Sequence, residues 1–465
     1  FLQSWNITKR NMVLPKRNKR MRLVYILFII LPLISVGQDS VDVKKKGTLS
    51  GQWRTYYMMT SNKDDLKNFN ALATGGKLKY QYTPFDNLEI GAAIYNSTNL
   101  GLQDLTVPDA TTGRLSRYEE GLFDRLDLEN DAVFLLGELY ANYKLKKHTF
   151  TLGRMKVNTP LINPEDGRMI PTLVQGLWYS YKKRKTVLQL GILNEIAPRS
   201  TGKFYGIGES IGTYPVGRNK YGNASQYTDN TKSDYIILAN ADFEITENLN
   251  VKIWNQYVEN IFNSFYVKPS LKISESIQLE GEWLHQNKVG DGGSSLDSLR
   301  YFNQNTADVL GLKIAYKSKV GLMTLAYERI LPNGQFLSPR EWGREDLFSF
   351  QKRERSEGTA DNHALVLNYK NEFDVLKENL NLTSILSIGK HWKPEVTDAS
   401  LNKYAMPDYT HINLDVFFTI KKLKRLKPEL LLTSKIGNGD ISDNPNFYFN
   451  KVDLFHVDVI LNYNF

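Results

Sequence analysis

The amino-acid sequence predicts an all-β fold: a transmembrane, antiparallel, up-and-down β-barrel of about 18 strands. Three observations predict it: segments in which every second residue is apolar or aromatic, an even number of such segments, and connections that alternate between short and mostly long. Because every backbone amide in hydrocarbon needs an internal partner, strands can cross a bilayer only in a closed sheet. The alternative is an ordinary antiparallel sheet with one buried face, which gives no reason for loops to be sorted by length.

The composition excludes several classes of protein. The 465 residues include no cysteine, which excludes a disulfide framework, a thiolate metal site and a cysteine nucleophile. A mean hydropathy of −0.40 excludes a helical membrane protein with several spans. Charged residues make up 23% and hydrophobic residues 41%, which is not the composition of a disordered chain. The 26 Tyr and 22 Phe favour strands.

Residues 1–37 are predicted to be a signal peptide with some upstream residues, which leaves 38–465 as the outer-membrane barrel domain. The apolar run Leu23–Val36 follows a basic cluster and is short for a membrane span, although an uncleaved anchor helix is the alternative. The segment 1–37 contains seven of the basic residues and no acid, so the remainder has a net charge of +2. That charge is too small to follow a phosphate backbone, so no nucleic acid is expected as a partner.

Eighteen segments carry the alternation, and their lengths suit tilted strands across a bilayer. In one of them Ile412, Leu414 and Val416 alternate with Asn413 and Asp415, so each set lies on one face of a strand. The segments are 47–60, 72–83, 87–98, 132–146, 148–156, 171–183, 186–197, 234–245, 248–258, 261–272, 276–288, 305–317, 320–330, 360–371, 379–391, 408–420, 427–437 and 450–463.

The connections are sorted by their position in the chain. Turns such as Arg184-Lys185 follow the even-numbered segments, whereas long loops such as 99–131 and 331–359 follow odd-numbered ones; the short connection 259–260 is an exception. Short turns on one side and long loops on the other are typical of bacterial outer-membrane barrels. The predicted location is therefore the outer membrane of a Gram-negative bacterium, with its lipid around the barrel.

The end of the chain agrees with this location. The last segment ends in FHVDVILNYNF, where the residues on one face are Phe455, Val457, Val459, Leu461, Tyr463 and Phe465. An aromatic last residue matches the terminal strand signal that the outer-membrane barrel assembly machinery reads. That machinery is therefore a predicted partner through Phe465.

The interior is predicted to be an aqueous channel, because 18 strands enclose more space than side chains can fill. Alternation directs Arg54, Lys77 and Lys79 inward, together with further bases and many acids. Bases grouped on one wall would favour anions. The alternative is that lumenal charges pair with each other and only keep the wall wet.

A motif at the fifth segment resembles a known family. The stretch TLGRMKVNTPLINPEDGRMIP, Thr151–Pro171, is similar to the OprD-like outer-membrane porin family at Gly153, Arg154, Thr159, Pro160, Asp166, Arg168, Met169 and Pro171. The loop Pro339–Gly358 resembles family loop sequence more weakly. The resemblance implies a water-filled channel for passive uptake of small hydrophilic solutes, carboxylate-bearing ones among them. It also implies that the loop 158–170 folds inward and narrows the pore.

The candidate pore residues are the strand residues Arg54, Lys77 and Lys79 together with Arg154, Asp166 and Arg168 of the motif region. Strict alternation points Arg154 at lipid, and we expect a bulge at Gly153 to turn it inward. Asp166 is the expected partner that holds Arg168, although both could be ordinary solvated loop residues. Arg117, in the loop 99–131, is expected to be exposed and away from the constriction.

The alternatives are an outer-membrane barrel hydrolase, of protease or phospholipase type, and a different anion-selective channel. His456 with Asp458, or His411 with Asp415, could mimic part of a catalytic triad, but no Ser stands in a recognisable nucleophile setting. We therefore expect no enzymatic activity, and no cofactor or metal is predicted. The acids of the loop 99–131 could hold a cation but fit solvated side chains better. The oligomeric state stays open, with a homotrimer among the alternatives.

Overall fold

The computed structural model describes residues 47–164, 168–376, 379–439 and 443–465. The predicted signal peptide, residues 1–37, lies outside this part of the chain. In the described residues no helix is long and apolar enough to cross a membrane.

In the described ranges, nineteen strands form one antiparallel sheet that closes on itself, since β1 is hydrogen-bonded to both β2 and β19. Eighteen are long, and β8 has two residues beside the end of β7. The strands are β1 Gly47–Ser61, β2 Phe69–Phe85, β3 Leu88–Asn99, β4 Ala132–Leu145, β5 His148–Met155, β6 Leu173–Lys183, β7 Thr186–Ala197, β8 Tyr205–Gly206, β9 Ile236–Glu244, β10 Leu249–Val258, β11 Phe262–Lys272, β12 Ile277–Lys288, β13 Thr306–Lys317, β14 Leu322–Ile330, β15 Asn362–Val375, β16 Leu380–Trp392, β17 Tyr409–Ile420, β18 Leu426–Gly437 and β19 Leu454–Asn464.

The predicted barrel and each of its 18 segments are confirmed. The largest difference in a strand's start is at β19, which begins at Leu454 and not at residue 450. Asn450 and Asp453 have φ angles of 58° and 52°, and this left-handed backbone cannot belong to an extended strand. β15 continues to Val375, beyond the predicted end at 371.

The outer face of the barrel is apolar at alternate positions, as a lipid-facing surface requires. On β13 the outward residues Leu310, Leu312, Ile314 and Tyr316 are between 43% and 55% exposed. A soluble protein would bury such a surface, because contiguous exposed apolar patches are rarely this large. The alternation therefore marks the face that contacts the bilayer.

The long loops all leave the same end of the barrel, as the sequence predicted. Short turns such as 86–87 and 184–185 connect the strands at the other end, whereas 100–131, 198–235 and 331–361 are long. The long loops contain short 3-10 helices, including Glu119–Leu122 and Arg340–Trp342. Their apolar side chains pack inside the barrel, where Trp342 is fully buried in the largest apolar cluster. The core of this protein therefore lies between its loops and its inner wall.

Candidate functional site: a basic cavity formed by loops inside the barrel

The described parts of the loop 156–172, residues 156–164 and 168–172, lie inside the barrel and touch its wall on several sides. The loop begins after β5, and its Leu161 packs in one apolar cluster with Tyr266 of β11 and Leu284 of β12. Further along, the backbone carbonyl of Arg168 accepts a hydrogen bond of 2.7 Å from Nη1 of Arg54 on β1. The loop therefore crosses the lumen, and the sequence-based expectation that it folds inward is met by its contacts.

A second loop, 331–361, runs beside the first. The backbone N–H of Asn163 donates to the carbonyl of Trp342 at 3.1 Å, and the N–H of Asp346 donates to the carbonyl of Pro160 at 2.9 Å. Gly343 stands at the crossing with a φ of 141°, and a Cβ there would lie 2.7 Å from the carbonyl oxygen of Asn163. Only glycine allows this backbone and this close approach.

Charged residues attach the loop 331–361 to the wall of β17, β18 and β19. Three consecutive side chains, Lys352, Arg353 and Glu354, each meet a strand residue of opposite charge. The joined atoms are Lys352 Nζ and Asp415 Oδ2 at 2.9 Å, Arg353 Nη2 and Asp458 Oδ2 at 2.5 Å, and Glu354 Oε2 and Lys435 Nζ at 2.6 Å. These contacts fix the loop in one position across the lumen.

The pKa of Glu354 shows which effect dominates at this attachment. Burial alone would raise the pKa of this carboxyl group, because a charge loses its hydration there. Lys435 and Lys393 outweigh burial and hold the pKa of Glu354 well below its usual range. Glu354 is therefore a permanent anion that the wall neutralises.

The loops enclose a cavity of about 980 Å³ within the barrel. Its lining includes twelve basic residues and three acidic ones. The basic residues are Arg114, Arg117, Arg125, Arg168, Arg199, Arg218, Arg340, Lys352, Arg353, Arg355, Lys403 and Lys451, and the acids are Glu120, Glu354 and Glu429. Six of these bases lie within 4 Å of a carboxylate: Arg125, Arg340, Lys352, Arg353, Arg355 and Lys403. An excess of one charge in a cleft with low-dielectric walls concentrates counter-ions, so the remaining basic groups favour anions.

Of the sequence-predicted site residues in the described chain, only Arg168 lines the cavity. It is buried, and its Nη1 donates to the carbonyl of Tyr118 at 2.6 Å. Arg54 acts beside it as a support, because it holds the Arg168 backbone and also donates to Asn462 at 2.7 Å. Asp166, the expected partner of Arg168, lies outside the described residues.

Lys77 and Lys79 lie halfway along β2, on its inner face and away from the cavity lining. Lys79 is 2.7 Å from Glu138 and packs its ammonium group over the ring of Tyr140. For Lys79 the structure therefore favours the reading in which lumenal charges pair with each other. The pair is formed within the strands and contributes little free charge to the passage.

Arg154 does not turn inward, so the expected bulge at Gly153 is wrong. Gly153 has a φ of 118°, yet the register of β5 continues past it without an inserted residue, and Arg154 pairs with the exposed Leu139. The side chain stays on the outer face, where Nε donates to Gln175 at 3.0 Å and the guanidinium lies over the ring of Phe204. These partners lower the cost of placing a charge there.

Arg117 is also not where the sequence suggested. It is half-buried, lines the cavity, and donates from Nη1 to the carbonyl of Asn450 at 3.1 Å. Sequence reasoning also missed Arg125, Arg199 and Lys403, each from a different loop. Alternation assigns faces only to strand residues, so it has no information on loop side chains. A count of basic residues in the long loops was the available signal.

The histidine pair weighed for catalysis belongs to the attachment of the loops. His456 Nδ1 is 2.7 Å from the hydroxyl of Thr60, and Nε2 is 3.2 Å from Asp458 Oδ1. Nε of Arg353 reaches the same ring nitrogen at 3.1 Å, and the ring of Tyr118 packs against the imidazole. In the part of the chain with described coordinates, no group of three or more metal-ligating side chains is placed to hold a metal ion.

Residues 47–375 match the model of one protein family, described as outer membrane porin, OprD family. The chain belongs to the OprD family. The resemblance first suggested by Thr151–Pro171 is thereby confirmed. This OprD-family porin is an outer-membrane protein of a Gram-negative bacterium, surrounded by lipid, and it lets small solutes pass. The comparisons give no support to a barrel hydrolase.

Solved structures show the same fold. OpdK of Pseudomonas aeruginosa with vanillate has 15% identity and a TM-score of 0.64, with 90% of this chain and 99% of that chain covered. OccAB4 of Acinetobacter baumannii has 15% identity and a TM-score of 0.64, with 92% and 100% covered. OpdO of P. aeruginosa has 15% identity and a TM-score of 0.63, with 91% and 98% covered. No curated protein sequence matched the chain.

Proposed function

We propose that this porin is a passive channel that selects small anionic solutes, carboxylates in particular, and acts on them without catalysis. The observation that carries the proposal is that twelve basic and three acidic side chains of the described residues line the cavity, and that Arg114, Arg117, Arg218 and Lys451 form no ion pair in the described chain. Guanidinium groups suit this task because their planar donors bind a carboxylate through two parallel hydrogen bonds. The vanillate in the OpdK structure is an aromatic carboxylate, which is in line with this class of solute.

The loops 156–172 and 331–361 together form the proposed constriction. Arg168 is the proposed contact for the anion there, with Arg54 as its support and Asp166 as a proposed partner of its side chain. Beyond the cavity, Lys77 is proposed to meet the solute on the inner wall of β2, where Lys79 is held beside it by Glu138. Tyr214 offers a further surface, because the guanidinium groups of Arg125 and Arg199 lie 4.5 and 4.6 Å from its ring centroid.

Assembly is proposed to use the terminal strand. Phe465 exchanges backbone hydrogen bonds of 2.8 and 3.1 Å with Gly51, and its ring is 41% exposed. An exposed terminal aromatic at the short-turn end supports recognition by the barrel assembly machinery.

The test is a planar-bilayer recording of the reversal potential across a KCl gradient. We expect chloride to permeate better than potassium, and we expect Arg168→Glu to shift the reversal potential toward cation selectivity. Lys147→Glu, which makes the same charge change in an exposed short turn, is the control and should leave the value unchanged. A native channel that prefers potassium would refute the proposal.

A further inference from the structure

Four cationic side chains from three loops meet at the long-loop end of the cavity. We name Arg114, Arg117, Arg218 and Lys451 the mouth cluster. Arg218 donates from Nη2 to the carbonyl of Asn402 at 2.7 Å, and Lys451 donates from Nζ to the carbonyl of Ala405 at 3.1 Å. Both therefore contact the same turn.

Arg117 and Arg114 complete the cluster from the loop 100–131. Arg117 donates from Nη1 to the carbonyl of Asn450, the residue before Lys451, and Asn450 Nδ2 donates to the carbonyl of Leu115 at 3.1 Å. These contacts bring the segment 114–117 beside the segment 450–451. All four members of the mouth cluster line the cavity.

The charges of the mouth cluster are only partly offset by the protein. In the described chain none of the four forms an ion pair; their side chains are held mostly by backbone carbonyls, which orient a cation without cancelling its charge. Two carboxylates lie near the cluster and offset part of its charge. Asp398 interacts electrostatically with Arg218, and Glu354, which is bound to Lys435, interacts with Arg117. Four cations near these two carboxylates leave an excess of positive charge.

The pKa of Lys451 is affected by the repulsion among these cations. Its side chain is buried, and burial is the first cause that lowers the pKa of its ammonium group well below the usual value. Arg114, Arg117 and Arg218 lower that pKa further because their positive charges lie close by. An anion at this position would relieve the repulsion of all four groups.

Hydrogen-bond donors are also left over. Nε of Arg218 is buried and has no hydrogen-bond partner in the described residues. The guanidinium of Arg114 has no hydrogen bond or ion pair with any residue that the structure describes. Arg114 is exposed, so its donors face solvent, whereas the buried Nε of Arg218 would normally be paired. An unused buried donor within a group of four cations indicates a place for an acceptor-rich anion.

We propose that the mouth cluster binds the dianionic phosphate group of a small phosphorylated solute as it enters the channel. This inference rests on the proposed function and names a substrate class for it. A phosphate monoester carries nearly two negative charges near neutral pH and three oxygens that accept hydrogen bonds, whereas a carboxylate has one charge and two oxygens. Three arginine guanidinium groups and a lysine match the larger charge and the greater number of acceptors.

The experiment measures block of the chloride current in planar bilayers. Inorganic phosphate, succinate and acetate are each added at pH 7.5 to the long-loop side. We expect phosphate to block half of the current at a concentration at least tenfold below that of acetate and below that of succinate. Equal potency of phosphate and acetate, or greater potency of succinate, would overturn the proposal.

Variants locate the site. Arg114→Gln should raise the half-blocking concentration of phosphate severalfold, and it should fold because its side chain is unbonded. Lys451→Gln should have the larger effect, and Lys147→Gln is the matched control. Unchanged block in both mouth variants would also overturn the proposal. A chloride-selective channel without phosphate block refutes the mouth cluster alone, whereas a potassium-selective channel refutes the proposed function as well.

Discussion

At the scale of single residues, the channel depends on charges that attach loops to the wall. Arg353 is the central example, since its guanidinium reaches Asp458, the hydroxyl of Tyr56 at 2.7 Å and His456. A buried ion pair of this kind adds little net stability, but removing one partner leaves the other charge buried and uncompensated. The contact therefore matters most for where the loop 331–361 stays.

Asp458→Asn should destabilise this attachment by about 3–5 kcal/mol, the usual cost of breaking a buried ion pair. We expect frequent transitions between conductance levels, because the loop moves when Arg353 loses its anionic partner. Single-channel recording measures this. Glu372→Gln, which removes a pair with Lys370 whose side chains are 59% and 44% exposed, should leave the recordings quiet. If neither variant shows more frequent transitions between conductance levels, the contact between Arg353 and Asp458 does not hold the loop in place.

Gly343→Ala should separate the two inner loops. A residue with a side chain costs of order 1–3 kcal/mol at such a φ, and the new methyl group would overlap the backbone of Asn163. We expect a lower temperature for the heat-induced mobility shift in gel electrophoresis and a higher conductance. Gly281→Ala is the control, because the nearest atom to its added Cβ would lie 3.5 Å away. Equal behaviour of the two variants would contradict this reading of Gly343.

At the scale of elements, the loop 156–172 is held by apolar contacts as well as by charge. Leu161 and Ile162 are 3% and 0% exposed and belong to two different apolar clusters, one of them around Trp342. Two adjacent buried side chains thus bind the loop to opposite neighbours. These contacts fix the described residues around Leu161 and Ile162 as a partition in the lumen.

Replacing Leu161 and Ile162 together by Ser should release this partition. Losing a buried Leu or Ile side chain typically costs about 2–5 kcal/mol, and the barrel strands do not depend on these two. We expect a larger single-channel conductance with an unchanged strand signal in circular dichroism. The double change of Leu102 and Leu126 to Ser is matched, since both are more than 50% exposed. A conductance like that of the native protein would show that the loop is not the constriction.

At the scale of the whole molecule, stability comes from two environments on the two sides of one sheet. The outer positions of each strand meet lipid, whereas the inner positions meet loops, water and charge. On β13 and β14 these faces alternate residue by residue: Leu312 and Tyr327 pair on the outer side, and Ala315 pairs with Thr324 on the inner side. The same substitution should therefore destabilise the barrel on the outer face and have little effect on the inner face.

Leu312→Lys should lower the free energy of unfolding by about 2–4 kcal/mol, because it places a charge near the middle of the lipid-facing wall. Thr324→Lys, on the neighbouring strand but facing the lumen, should have little effect. Urea titrations of folding into lipid vesicles measure both. Similar losses for the two variants would mean that the assignment of faces on these strands is incorrect.

The strands, their order, the parity of the loops and the lipid-facing positions could all be predicted from the sequence. The reason is that each strand residue faces either lipid or water. Apolar residues therefore occur at every second position, and this period can be recognised within a short stretch of sequence. The same rule placed Arg54, Lys77 and Lys79 on the inner face. It also indicated lipid for Arg154, and the structure agrees with that simple alternation, not with the bulge introduced to avoid it.

Only the tertiary structure decided which side chains line the passage. Arg117, Arg199 and Lys403 reach the cavity because loops far apart in sequence fold into the same lumen. No local period governs the direction of a loop side chain, and its position depends on partners hundreds of residues away, as in the contact between Arg117 and Asn450. The barrel was determined by repeated local patterns, whereas the selective cavity was determined by contacts that form only once the barrel has closed.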